Sequence, residues 1–420
     1  MLGLVIVLLM PCVSNGEAPH TTSQPLMILD VLLVNDADFP PVKRAHAAWI
    51  LAEARNVLAD KLGFDSIRFN VKDSVDVKAF IERNTLPDDP CLKQLTPDRV
   101  GPKQQSPQEI PTDKIQRFLK RWKLDELRAY FPEDQRNKLT DYQKVSAALI
   151  DEFARKLATI AAIHLGNGES LLSPEKIEQR SYVRWICAMR HQDEADLILT
   201  NAFILYDLGA EPYPHSIFAK NKVGGASLKS TKRQAIRGRA VVASTFSMVT
   251  DLPFFREEGA DKLTAGQRLS VIGTFIVAHE LGHAIFKIPD FYNHPKECLM
   301  TTQYETGYVS GYRDVLQNPG ECSQCLPYVQ ARRLVFLATV ARTEGRYKEA
   351  IDFLKEAIKT TPKHIDGDYR YYVADLSLDV AETYLAMGNV VQSKRWLTSV
   401  QRITKNFERA DALQARLNAL

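Results

Sequence analysis

Net charge, cysteine and long apolar runs are all scarce in this chain. Its 54 basic and 51 acidic residues leave a formal charge of +3 over 420 residues, too little to make nucleic acid the main partner. Six cysteines are spread along it: Cys12, Cys91, Cys187, Cys298, Cys322 and Cys325. Five remain if a leader is removed, and an odd number argues against a tidy disulfide framework. The apolar run at 2–10 is too short to span a bilayer as a helix. It suits the core of a secretory signal, with the small residues Ser14 and Gly16 near a cleavage point, although no Lys or Arg precedes it. Residues 1–18 are therefore read as a signal peptide and the mature protein as secreted or periplasmic; a buried N-terminal strand is the alternative. Beyond that run no segment reads as a membrane span.

What is present is ordinary globular material, 45% hydrophobic and 25% charged, in a length that suits two or three domains. The run LMILDVLLV at 26–34 reads as a buried strand and 43–62 as a helix ended by Gly63. Alternation predicts a half-buried strand at 67–71, followed by a short helix at 77–83. That order opens a layer of helices on a sheet. Pro90, Pro97, Pro102, Pro107 and Pro111 mark an irregular loop at 88–112. A helical insertion follows at about 113–190, with helices at 113–127, at 141–165 under an Asp141 cap, and from Ser173 and Pro174 onward. Its aromatics Phe118, Trp122, Tyr130 and Trp185 are expected in a core.

Strands resume at 195–205 and 240–249. Between them Lys220, Lys222, Lys229, Lys232, Arg233, Arg237 and Arg239 occur with no acid among them. Gly224 and Gly225 make this stretch read as a floppy solvated loop, with a patch for anionic partners as the alternative. The strand at 240–249 is either interior or an edge along which an extended peptide pairs.

The chain is organised around LSVIGTFIVAHELGHAIFKIPDFYNHPKECLM at 269–300, a buried helix carrying His279, Glu280 and His283. Positions i and i+4 share a helix face, so the two imidazoles can hold one divalent metal while Glu280 reaches a water on it. The third ligand comes from beyond the helix. Asp290 and His294 are both within reach, and Glu305 or Glu321 would change the class of site. A zinc with three protein ligands leaves a position for water, whose proton Glu280 would take and pass to the leaving amine.

GTFIVAHELGHAIFKIPD followed by Cys298, Leu299 and Met300 resembles the metzincin class of zinc peptidases, and is most similar to the archaemetzincins. That resemblance implies an α+β fold, a twisted sheet plus an active-site helix, over a peptidase domain at 24–327. It implies a methionine turn at Met300 beneath the metal, an oxyanion donor at Tyr304 or Tyr308, and a peptide or protein substrate. It also implies a second metal set. The first cysteine of that set is missing here and His294 stands near its place, so His294, Cys298, Cys322 and Cys325 would form a structural zinc site with Asp290 on the catalytic zinc. In the rival arrangement His294 completes the catalytic site and the cysteines form a disulfide or stay reduced. Two departures stand out: Phe286 occupies the turn-glycine position and Pro289 that of the third ligand.

Residues 328–420 form a C-terminal α-helical region. Gly345, Ala350, Leu354, Ala357 and Pro362 resemble one tetratricopeptide repeat, and Gly388, Ser393, Leu397 and Val400 echo it. Two partial copies fall below the usual minimum, so this region is expected to pack on the preceding domain, a groove for a protein partner being the alternative. A non-catalytic, metal-stabilised protein that binds a partner through this tail is the rival to the peptidase.

Overall fold

The computed structural model describes residues 27–86, 90–93, 116–117, 119–120, 122–206, 217, 220, 222–228, 241–289, 297–301, 307–317, 320–365, 368–404 and 408–419. The signal-peptide reading at 1–18 lies outside the described residues, as do Phe118 and residues 113–115 of the helix expected at 113–127; within that stretch the described residues 122–123 are not helical and a short helix runs over Leu124–Arg128.

The first elements are β1 (Met27–Asn35), α1 (Arg44–Leu62), β2 (Ile67–Asp76) and α2 (Val77–Asn84). The Asp76 side chain caps α2 by accepting from the Lys78 and Ala79 N–H groups. Gly63 ends α1 in the left-handed conformation that glycine tolerates. Next come α3 (Tyr142–Ala161), α4 (Pro174–Arg180), α5 (Tyr182–His191), β3 (Leu197–Thr200), β4 (Gly225–Ser227) and β5 (Val241–Ser244). The sheet order is β2-β1-β3-β5-β4, all parallel except β4, which runs antiparallel to β5.

Strand alternation divides the sheet between two cores. Leu29, Val31, Leu33, Leu197, Leu199, Val241 and Ala243 face α1 and a long central helix, α6 (Ala265–Phe286). Leu32, Val34, Ile198 and Val242 face the opposite layer with Phe80 of α2 and Trp185 of α5. A third core holds the α3 block, with Trp122, Tyr130 and Phe153. Trp122, Tyr130 and Trp185 are therefore core residues, as expected. Trp185, however, belongs to the layer on the sheet, so the last helix of the expected insertion is part of the sheet's own packing.

Several sequence expectations need correction. The strand at 240–249 stops at Ser244 and gives way to a helical turn at Phe246–Val249. It is interior, because β3 and β4 pair with its two sides. On that side the edge strand of the described sheet is β4, which begins at Gly225, one of the glycines expected in a solvated loop; β2 is the other edge. The strand at 195–205 shortens to four residues, and the helix at 141–165 ends at Ala161, where a bridge between His164 and Ser170 takes over. Cys91 and Cys187, 96 residues apart, form a disulfide, a pairing that spacing alone did not disclose. Among the described residues one helix, Ala265–Phe286, is long and apolar enough by length and composition to cross a membrane, but 78% of that window is buried inside the fold, which makes it a core helix and not a clear span.

After α7 (Tyr308–Gln317), the tail comprises α8 (Leu326–Thr343), α9 (Tyr347–Thr360), α10 (Tyr369–Ala386), α11 (Val390–Ile403) and α12 (Glu408–Asn418). Gly345 and Gly388, both with positive φ, turn the chain between paired helices. Ala350, Leu354, Ala357, Leu397 and Val400 are buried between them. The tail packs on the main domain through Tyr328 and Val329, which join the central core, and through Phe336 against Phe64.

Candidate functional site

Helix α6 begins with a reciprocal cap: Thr264 Oγ1 accepts from the Gln267 N–H, and Gln267 Oε1 accepts from the Thr264 N–H. Its middle turns, Ile272–Val277, are widened into a π segment, a feature frequent at functional sites. Gly273 lets the helix press on α1, since a Cβ there would stand 2.4 Å from the Ile50 carbonyl oxygen. The following turn, Ala278–Phe286, carries the histidines.

Each imidazole is oriented by a backbone carbonyl. His279 Nδ1 lies 2.8 Å from the Leu299 oxygen and His283 Nδ1 lies 2.6 Å from the Ile288 oxygen. A carbonyl only accepts, so both rings donate from Nδ1 and turn Nε2, the nitrogen a metal would take, toward each other. The two Nε2 atoms face each other at 3.0 Å, with the rings nearly perpendicular. Two nitrogens on one tetrahedral zinc at about 2.0–2.1 Å stand roughly 3.3 Å apart, so the donor pair fits a shared ion to within a few tenths of an ångström.

Both carbonyls come from turns. Helix α6 ends at Lys287, whose left-handed φ of 58° reverses the chain and brings Ile288 back to His283. The resemblance placed this turn at Phe286; it falls one residue later. Leu299 belongs to the segment 297–301, tightened by the Thr301 N–H donating to the Cys298 carbonyl. Met300, fully buried, packs beneath the helix, where a Cβ on Gly282 would stand 2.3 Å from its Sδ. Met300 is thus packed directly against the helix that carries the histidines.

Glu280 points toward β4. A Cβ at Gly225 would stand 2.7 Å from Glu280 Cγ, and a Cβ at Gly224 would stand 2.1 Å from the Tyr308 hydroxyl. Burial, followed by the Glu257 and Glu280 carboxylates, pushes the Tyr308 phenol well above its ordinary range, so it stays a neutral donor. Sequence reasoning took Gly224 and Gly225 for flexibility, put Lys222 in a solvated loop and missed Glu257; the two charges form a buried ion pair at 2.9 Å. The glycine pair was the one available signal, because close backbone approach also demands glycine.

Cys298, Cys322 and Cys325 bring their sulfurs within 4.8 Å of one another, a group that can hold a metal ion. None is in a disulfide. The turn that places Cys325 is held by its N–H donating to the Cys322 carbonyl at 3.0 Å. Asp290, His294, Tyr304 and Glu305 lie outside the described residues. Glu321 sits against Gly63 at the end of α1.

A family model described as tetratricopeptide repeat matches residues 341–417, the segment in which α9 to α12 were described above. Residues 341–417 are a tetratricopeptide-type repeat region. No curated protein and no solved structure matches the chain. The repeat covers the helical tail and carries the main domain's chemistry no further, so that chemistry is argued from geometry.

Proposed function

We propose that this chain is a zinc-dependent peptidase of metzincin type, with Glu280 as general base. The observation that carries the reading is the pair of Nε2 atoms facing each other at 3.0 Å, with Glu280 beside the edge strand β4. A zinc bound by His279 and His283 would supply Lewis acidity and lower the pKa of a coordinated water. Glu280 takes the proton of the attacking water and delivers it to the leaving amine. The outer side of β4 offers backbone groups to an extended peptide, which lies across Glu280. Tyr308 donates to the oxyanion from its place at Gly224.

The position of the turn favours Asp290 as third ligand. In the metzincin pattern the third ligand lies three residues beyond the turn, and three beyond Lys287 is Asp290. His294 is then left to join Cys298, Cys322 and Cys325 as a second, structural zinc set. The Cys91–Cys187 disulfide supports an exported protein, since such bonds persist in oxidising compartments.

Elemental analysis beside peptide hydrolysis tests the reading. Wild type should hold two zinc ions, Glu280→Gln should keep both and lose cleavage, and Asp290→Ala should lose one. Retained cleavage in Glu280→Gln would end the proposed mechanism. The rival reading, a non-catalytic protein that binds a partner through its tail, is favoured by the repeat match alone. It leaves unexplained why glycine backbone is pressed against Glu280.

A further inference from the structure

Three segments distant in sequence meet at one buried carboxylate. Glu257 lies on the loop after β5 and is 8% exposed. One of its oxygens accepts from Lys222 Nζ at 2.9 Å; the other accepts from the Tyr308 backbone N–H, the first of α7, at 2.7 Å. Lys222 is 6% exposed, donates also to the Phe255 carbonyl at 3.1 Å, and lies 5.8 Å from the Tyr308 ring centroid. Gly307 is needed here, because a Cβ would stand 2.2 Å from Glu257 Oε1. Two residues beyond Lys222 begins the glycine backbone that touches the Tyr308 hydroxyl and then Glu280.

We propose that Glu257 and Lys222 are positioning residues, which together set the separation between the β4 backbone, the Tyr308 hydroxyl and the Glu280 carboxylate. The proposal rests on the peptidase reading and specifies how its substrate slot is held open. A buried ion pair is a poor source of stability, because desolvating both charges offsets their attraction, and an apolar pair of similar size often serves as well. What this pair supplies is geometry. Lys222 anchors the start of β4, Glu257 anchors the start of α7, and the shared carboxylate makes the two anchors one. Its orientation is favourable as well: a carboxylate at a helix N-terminus meets the positive end of the backbone dipole. Neither side chain touches the facing histidines, so both act through Tyr308 and β4.

The test uses the full chain with zinc bound and three variants: Glu257→Gln, the neutral pair Lys222→Met with Glu257→Gln, and Tyr308→Phe. The neutral pair leaves no orphaned charge and so guards against loss of folding. Ring-labelled tyrosine NMR, with the Tyr308 signal assigned by its absence in Tyr308→Phe, reports the hydroxyl's surroundings whether or not the protein cleaves anything. The expected result is a displaced Tyr308 signal and near-wild-type zinc content in both Glu257 variants, with a melting temperature close to wild type in the neutral pair and a lower one in Glu257→Gln alone, which strands the Lys222 charge. Peptide hydrolysis should fall in kcat on the order of 10²-fold, the loss a misplacement of about 1 Å produces, with KM changed less. Glu257→Gln added to Tyr308→Phe should cost less than the two single losses combined, because one of the groups it positions is gone. An unmoved Tyr308 signal, or full additivity of the two losses, overturns the proposal. A zinc-loaded wild type that cleaves no peptide instead defeats the peptidase reading, and the NMR arm still decides the positioning role.

Discussion

Gly225 presses on Glu280 so closely that a Cβ at 225 would stand 2.7 Å from the glutamate's Cγ and 2.9 Å from its Oε1. The contact joins the edge of the sheet to the helix that bears the histidines. On the peptidase reading it makes Glu280, the proposed general base, and β4, the strand proposed to pair with a peptide, two sides of one slot.

Gly225→Ala should therefore push the carboxylate aside without touching either histidine. Hydrolysis should drop on the order of 10²-fold, as for other displacements of about 1 Å, while bound zinc stays at the wild-type level. Assaying cleavage and metal content on one preparation checks both halves. Unchanged activity would show that the strand can retreat.

Met300 is buried between the 297–301 turn and Gly282. Truncating it in Met300→Ala leaves a cavity directly under the helix that carries His279 and His283. Unfolding in urea should show a loss of about 2–5 kcal/mol, the range for large-to-small changes in a core. A loss below about 1 kcal/mol would mean that the helix settles onto the gap.

The thiol group should be sensitive to alkali once metal is stripped. The hydrogen bond with Cys322, and burial with it, pushes the Cys298 thiol from 9.0 up to about 12. The folded metal-free chain thus keeps a proton that the unfolded chain releases. The stability this confers is complete below pH about 9 and is lost as pH rises toward 12. The urea midpoint of the stripped protein should fall across that window. Metal uptake has the opposite dependence at lower pH, because each thiolate ligand formed releases a proton and acid weakens binding. Cys322→Ser should remove one metal ion per chain and leave the other.

The repeat region should prove inseparable from the domain it packs on. Phe336 lies 5.5 Å from Phe64, which in turn lies 5.0 Å from Phe286 at the end of α6. A chain ended before Leu326 uncovers these rings, and should be insoluble or bind a hydrophobic dye when expressed. A soluble truncated domain with wild-type melting behaviour would show that the contact is incidental.

Local features were legible in the residues. The i, i+4 spacing of His279 and His283, the Asp141 cap, the Gly63 stop and the paired helices of the tail each depend on neighbours within a few positions. Backbone geometry transmits such short spacings faithfully, because helix and strand periods are fixed by the chain itself. The buried runs that became β1, β3 and β5 were legible as strands too, but not their division between two cores.

Tertiary structure alone decided which strand is the edge, which cysteines pair, and what surrounds Glu280. Lys222 and Glu257 are 35 positions apart, and Cys91 and Cys187 are 96 apart. No local rule selects such partners; they are chosen by how layers close over a common core. Gly224 and Gly225 show the difference most directly. In the sequence a missing side chain reads as flexibility, and only the folded chain reveals that the space it would fill is already taken by Tyr308 and Glu280.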